Sequence, residues 1–293
     1  MMKFWILLLG SIFSCSILCA QTMSPIYKKS DSVKVEQYLK EATRLPKKTI
    51  KVMFFARKFI GVPYVAYTLE VSDNERLVVN LEELDCTTYV DVVCALTLTS
   101  CAGKTSFKDF CYYLQRQRYP QGIITNYTSR NHYFSSWILN CEELGFTHEI
   151  TSNDCPKGKS LFTATQRLNC TYMTQHPDRY KALQAHPEFI KGIKTVESNL
   201  NRITVSYIPN NKLGQSQNEL NCIKTGDILA LVTSKEGLDV SHLGFAVWQN
   251  NKLHLLNASS LHGKVLIDKV PLQKYNIDRK TNLGTRVIRI ITK

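Results

Sequence analysis

The sequence predicts an α+β fold in which helices pack on an antiparallel sheet. Three observations carry this expectation. Apolar residues recur at helical spacing through much of the chain before Asn201, short β-prone runs parted by turn residues fill the chain after it, and the two kinds of element do not alternate as a parallel sheet would require.

In chain order, residues 31–45 and 48–60 carry the helical pattern, and the second run stops at Gly61-Val62-Pro63. Tyr64 to Val71 and Arg76 to Leu81 are β-prone and flank Ser72-Asp73-Asn74-Glu75, which predicts a hairpin. After Asp85 the pattern turns helical, with Val90, Val93, Cys94 and Leu98 on one stripe, so Cys86 falls near a helix N-terminus. Between about 105 and 200 the chain reads as an irregular helical insertion, clearest over 107–116, 135–144 and 187–200. Strands are then expected over 203–208, 227–232, 243–248, 252–257, 264–270 and 285–291, with Gln249-Asn250-Asn251 as one of the turns.

Residues 1–20 read as a secretory signal peptide: Lys3, an apolar run from Phe4 to Leu9, and Cys19-Ala20 before polar Gln21-Thr22. Gly10, Ser11 and Ser14 interrupt the apolar core, which is shorter than the roughly 20 residues of a spanning helix, so no transmembrane anchor is expected. Cleavage after Ala20 and lipidation at Cys15 or Cys19 both stay open. Export to the periplasm or cell envelope follows, with residues 21–293 as one domain.

The net charge of +13, or +12 without Lys3, favours anionic partners. The cations are dispersed, with no run longer than pairs such as Lys47-Lys48 and Arg279-Lys280, and export argues against nucleic acid. Carboxylate-bearing wall peptides suit the charge equally well. Of ten cysteines, Cys86, Cys94, Cys101, Cys111, Cys141, Cys155, Cys170 and Cys222 follow the leader, and in an oxidising compartment some of them should pair. There is no C-x-x-C pair and no H-E-x-x-H helix, so neither a metal nor another cofactor is expected.

Two residues carry the chemistry. A thiol in the first turn of a helix faces free amides and the positive end of the dipole, which favours the thiolate, and the same amides can hold an oxyanion. Most cysteines are buried small hydrophobes or half-cystines; Cys86 differs in its polar Asp85-Cys86-Thr87-Thr88 setting at a strand-to-helix junction. His242, within Asp239-Val240-Ser241-His242-Leu243-Gly244-Phe245, begins an alternating strand and can serve as general base. On the next strand Asn257 is placed to orient the imidazole, with His254 as a rival at another level.

Five ordered motifs resemble the NlpC-type papain-like cell-wall hydrolases: Gly61-Val62-Pro63-Tyr64, Asp85-Cys86-Thr87-Thr88-Tyr89-Val90, Gly226-Asp227-Ile228, His242-Leu243-Gly244-Phe245 and Asn257-Ala258. Leu69-Glu70 through Cys86, Arg130-Asn131-His132-Tyr133-Phe134 with Trp137, and Gly237 to His242 are similar to the N-acetylmuramoyl-L-alanine amidase-like branch. Thr87-Thr88 departs from the usual Ser-Gly, and Asn257 stands where many members have histidine. The resemblance implies a papain-like core, its nucleophile-bearing helix packed on an antiparallel sheet with extra helices, in a monomer acting on peptidoglycan fragments. It implies Cys86, His242 and Asn257 as the catalytic set and hydrolysis of the bond from the N-acetylmuramic acid lactyl group to L-alanine. It assigns Tyr64 to the site wall. Arg130 and His132, ahead of an aromatic cluster, can hold a sugar or a peptide carboxylate, or equally belong to a structural loop anchored by Tyr133, Phe134 and Trp137; Asp239 and Ser241 flank the base and shape the cleft, and Asp85 and Trp137 are counted with them as substrate-binding residues. Two alternatives remain: an endopeptidase cutting between D-glutamate and the diamino acid, and a muropeptide-binding protein without catalysis.

Overall fold

A computed structural model describes residues 24–156 and 158–292. The expected signal peptide, residues 1–20 with Lys3, Cys15 and Cys19, lies outside the described residues.

Five helices come first: α1 (Lys29–Ala42), α2 (Lys51–Lys58), α3 (Cys86–Cys101), α4 (Phe107–Arg118) and α5 (Phe134–Glu143). Then follow β1 (Thr147–Ile150), α6 (Gly158–Leu161), β2 (Ala164–Arg167), α7 (Tyr172–Gln175), α8 (Lys181–Ala185) and α9 (Phe189–Leu200). The remainder is β3 (Thr204–Pro209), β4 (Ile228–Thr233), β5 (Val240–Gln249), β6 (Lys252–Ser259), β7 (Lys264–Ile267), α10 (Leu272–Ile277) and β8 (Asn282–Ile290). The strands form one sheet in the order β2-β3-β8-β4-β5-β6-β7, with β1 also on β8, and every strand pair is antiparallel. The fold is thus α+β with an antiparallel sheet.

Alternation along the strands divides the core. Ile228 and Ala230 of β4, Leu243, Phe245 and Val247 of β5, and Leu256 and Ala258 of β6 face α1–α5, while Leu229, Leu231, Ala246 and Leu255 face the opposite layer with Leu272 and Tyr275 of α10. Helix α3 is buried almost all round, from Thr88 to Ser100, because helices cover one side and the sheet the other. Its threonines satisfy themselves within the helix: Thr97 and Thr99 donate to the carbonyls of Val93 and Ala95 at 2.8 and 2.6 Å.

Three local expectations change. The hairpin over 64–81 does not form; these residues are pinned instead to other parts of the chain, Tyr64 N to Gly263 O at 2.9 Å and Val65 N to Leu84 O at 3.2 Å, and Tyr67 takes a left-handed φ of 63° that breaks an extended run. The insertion is not purely helical, since β1 and β2 extend the sheet; at four residues each they are too short to show a period. The eight cysteines expected in part to pair are all free thiols. Where turn chemistry is local the expectation holds: Asn250 and Asn251, at φ 48° and 60°, close the two-residue β5–β6 hairpin.

The Gly226-Asp227 corner has a structural reason. Gly226 sits at φ +95°, and a Cβ there would lie 2.3 Å from Val52 Cγ1. Asp227 accepts the Lys224 amide at 2.7 Å and the fork of Arg289 at 2.8 and 2.7 Å, which ties the start of β4 to β8.

Candidate active site

Cys86 is the first residue of α3, and Asp85 is the N-cap. Asp85 Oδ1 accepts the Thr88 amide at 2.7 Å while Thr88 Oγ1 accepts the Asp85 amide at 2.9 Å, a reciprocal capping box. Tyr89 N bonds to Asp85 O at 2.9 Å, so the cap takes the amides of Thr88 and Tyr89 and leaves those of Cys86 and Thr87 outside it. Asp85 therefore fixes the helix start that carries Cys86 and does not itself line the cavity described below.

The thiolate expected at this helix start is not favoured. Burial first, then the neighbouring Asp85 carboxylate, push the Cys86 thiol up to about 12, against the pull of the Thr87 hydroxyl, the Leu243 amide and its own amide.

His242 lies on β5 opposite Leu231 of β4, with its Nε2 2.9 Å from Asn257 Oδ1 on β6. Asn257 Nδ2 donates to Leu255 O at 3.3 Å, which points its carbonyl oxygen at the ring. The acceptor requires the proton on Nε2, so Nδ1 keeps the free lone pair. Burial and the charge of Arg279 lower the imidazole below its ordinary value, with the Asn257 bond opposing them. His254 is not the partner: its Nδ1 donates to Asp268 O at 3.0 Å, and it stands opposite Val247, further along the hairpin.

Cys86, Thr87, His132, Asp239, Ser241 and His242 line one cavity of about 230 Å³. Alternation puts His242 on the sheet face of Asn257 and Tyr275 and Leu243 on the face of α3, but the cavity wraps the approach to β5 and its first residues from Leu238 to Leu243, so groups from both faces reach it. Thiol and imidazole share this space without a direct hydrogen bond between them among the described contacts. A larger cavity of about 790 Å³ lies near Cys101, at the other end of α3, roughly 20 Å from Cys86 by the rise of the helix.

The remaining expected site residues divide. His132 lines the cavity, bonds through Nε2 to Tyr127 O at 2.7 Å, and is held neutral, its pKa lowered to about 3 by burial and Arg130. Asp239 also lines it, but its oxygens accept the amides of Ser135 and Val240 at 2.7 and 2.9 Å. Ser241 donates to Asn282 Oδ1 at 2.8 Å. Tyr64 packs beside the core, and burial first, then the neighbouring Cys86 and Asp85, raise its hydroxyl to about 12.

At Arg130 and Trp137 the contacts fit the structural reading rather than the ligand-binding one. Arg130 does not present its guanidinium to a ligand: it grips Glu75 at 2.9 and 2.8 Å in a nearly buried pair. Trp137 is 2 % exposed, stacked on Phe134, and donates to Asp91 at 2.9 Å, which makes it part of the core. Missed by the sequence reading are Met173, Tyr180 and Leu238, which also line the cavity, and Tyr275, whose ring stacks 6.2 Å from His242 under the guanidinium of Arg279. Leu272, Tyr275 and Asn276 stand at helical spacing, a signal that would have located α10.

Residues 54–283, which include Cys86, His242 and Asn257, match the AmiA-like family model, described as N-acetylmuramoyl-L-alanine amidase-like. The chain belongs to this family. Among solved structures it is similar to an N-acetylmuramoyl-L-alanine amidase from Bacteroides uniformis, with 41% identity and a TM-score of 0.75 over 82% of this chain and 97% of that one. A Bacteroides fragilis protein named "putative xylanase" is 41% identical, with a TM-score of 0.74 over 80% of this chain and 99% of that one. A Legionella pneumophila protein, 24% identical with a TM-score of 0.66 over 89% of this chain and 94% of that one, shares the fold. No curated protein matches the chain. Membership of the amidase-like family implies a hydrolase whose substrate is peptidoglycan.

Proposed function

We propose that the protein is a cysteine-dependent amidase of the papain-like, NlpC-type superfamily that hydrolyses the bond between the lactyl group of N-acetylmuramic acid and L-alanine in muropeptides. The observation that carries this reading is the His242–Asn257 couple, with Nδ1 free, in the same small cavity as a thiol on a capped helix start. The amidase-like family and the Bacteroides uniformis amidase support the substrate.

In the proposed reaction His242 Nδ1 takes the Cys86 proton as Sγ attacks the amide carbonyl. The amides of Cys86 and Thr87 receive the oxyanion, and the imidazolium returns the proton to the leaving amine. Water then attacks the thioester, with His242 as base again. Asn257 acts by orienting the ring and stabilising its charged form. The proposal includes export of residues 21–293 to the periplasm or cell envelope after a signal peptide, as a monomeric catalytic unit.

Defined muropeptides with mass detection test it. A free lactyl carboxylate on the sugar and an intact stem peptide beginning with L-alanine are expected; release of the L-alanyl-D-glutamate dipeptide would instead identify a stem endopeptidase. Xylan hydrolysis is not expected, because a glycosidase needs two carboxylic acids flanking the bond and Asp239 is the one acid in the described cavity wall.

Two further outcomes follow. Asn257→Ala is expected to lower kcat about 10- to 100-fold, the worth of one hydrogen bond to a group that becomes charged, with KM little changed. Unchanged kcat would remove Asn257 from the site. With the thiol raised and the imidazole lowered, both groups are neutral at pH 7, and the base is lost only on acidification. Accordingly kcat/KM should rise through a limb below pH 6.5, the ordinary histidine value, and stay level across mildly alkaline pH. A falling limb in that alkaline range would instead indicate a thiolate–imidazolium resting pair.

A further inference from the structure

The bond from His242 to Asn257 fixes one point of the imidazole ring, not its plane. A different element meets the ring. Tyr275 of α10 lies 6.2 Å from it, centroid to centroid, with the planes 20° apart, an offset stack. Arg279, one helical turn further on, lays its guanidinium 3.5 Å from the centre of the Tyr275 ring and donates from Nη1 to Tyr275 O at 2.9 Å. Asp278, its neighbour in the chain, is taken by Lys274 at 3.1 Å, and no carboxylate pairs with the Arg279 guanidinium among the described residues.

This short helix is tied to the strand that carries His242. Ser241, the preceding residue on β5, donates to Asn282 Oδ1 at 2.8 Å, Asn282 Nδ2 donates to Asn276 Oδ1 at 3.1 Å, and Asn276 Nδ2 donates to Asn210 Oδ1 at 3.0 Å. Asn276 and Asn282 are buried, where water cannot replace a broken bond. Tyr275, next to Asn276 and packed with Leu272 in the same apolar cluster, is held in place by that relay.

We propose that Tyr275 and Arg279 are positioning residues for the general base: the Tyr275 ring braces the imidazole, and Arg279, seated on that ring, holds a fixed positive charge behind it. The inference rests on the reading of His242 as the base. The two ring distances put the guanidinium within about 10 Å of the imidazole, close enough for a charge acting through protein to disfavour a second positive charge there. Around His242, Leu231 on β4, Asn257 on β6, His132 and the Cys86 thiol are neutral, Asp85 at the start of α3 and Asp268 ahead of α10 oppose Arg279, and Asp239 is engaged by two amides at the entry to β5. Burial first, with Arg279 behind it, outweighs the Asn257 bond and those acids, so the imidazole stays lowered. A base that remains neutral in mild acid can still take the Cys86 proton there, and the stacked ring keeps Nδ1 aimed while it does.

The test titrates the His242 ring by proton NMR in the full chain, with its signal assigned by loss in His242→Gln, and needs no substrate. In Arg279→Gln the midpoint should rise by about 0.5–1 pH unit, and Arg279→Lys, which keeps the charge, should return most of that shift. On muropeptides the acid limb of kcat/KM should move up by the same amount. Tyr275→Leu should lower kcat about tenfold with KM little changed, and Tyr275→Phe, which keeps the ring, should restore it. Arg279 is only partly buried, so its variants read the charge even if Tyr275→Leu does not fold. The proposal is overturned if the Arg279→Gln midpoint stays within about 0.2 unit of wild type, if Arg279→Lys titrates like Arg279→Gln, or if Tyr275→Phe loses as much kcat as Tyr275→Leu. Absence of muropeptide turnover in the wild type would overturn the amidase reading, and the ring titration would still decide for or against Arg279.

Discussion

Cys86→Ala is expected to lower turnover of muropeptides by roughly ten-thousand-fold or more while leaving the fold in place. The proposed mechanism has no second nucleophile in the cavity: Ser241 is hydrogen-bonded to Asn282, and Thr87 has no base beside it among the described contacts. The structural cost is small, on the order of 1 kcal/mol, because the change removes one sulfur from a half-buried position and keeps the capping box of Asp85 and Thr88. Single-turnover assays paired with thermal unfolding check both halves. Residual activity within about tenfold of wild type would exclude thiol catalysis.

Arg118→Met is expected to destabilise the protein by about 3–5 kcal/mol, the largest stability effect we anticipate from one substitution. Arg118 Nε donates to Asp91 at 2.8 Å and Nη1 donates to Val78 O at 2.8 Å, with side-chain exposures of 4% for Arg118 and 3% for Asp91. Without the guanidinium, Asp91 keeps only the Trp137 donor among these side chains and becomes a buried charge lacking its counterion. The urea midpoint should fall at constant m. Replacing Asp91 by leucine in the same chain should recover part of the loss, since the uncompensated charge is then gone. A single-variant cost below about 1 kcal/mol would show that water or backbone rearrangement satisfies Asp91. The pair bears on the site because Asp91 anchors the helix whose first residue is Cys86.

Features set by neighbouring residues were legible in the sequence. The helix start after Asp85, the long runs of β4, β5, β6 and β8, and the Asn250-Asn251 turn depend on residues a few positions apart. Pairing partners were less accessible. Residue type leaves Arg130 and Trp137 open between ligand contact and structural anchoring; Glu75 in the fork of Arg130, and Asp91 and Phe134 around Trp137, are contacts that only the folded chain reveals. The hairpin over 64–81 failed for the same reason: β-prone residues found hydrogen-bond partners elsewhere.

The sequence by itself determined the long helices, the strands β4, β5, β6 and β8, the helix start that carries Cys86 and the strand that carries His242, because periodicity and turn chemistry are local. Only the tertiary structure decided that Asn257 rather than His254 holds the imidazole, that Tyr275 and Arg279 stand behind it, and that the thiol is raised rather than lowered. Those outcomes rest on burial and on which side of a strand meets which neighbour, and both depend on residues far apart along the chain.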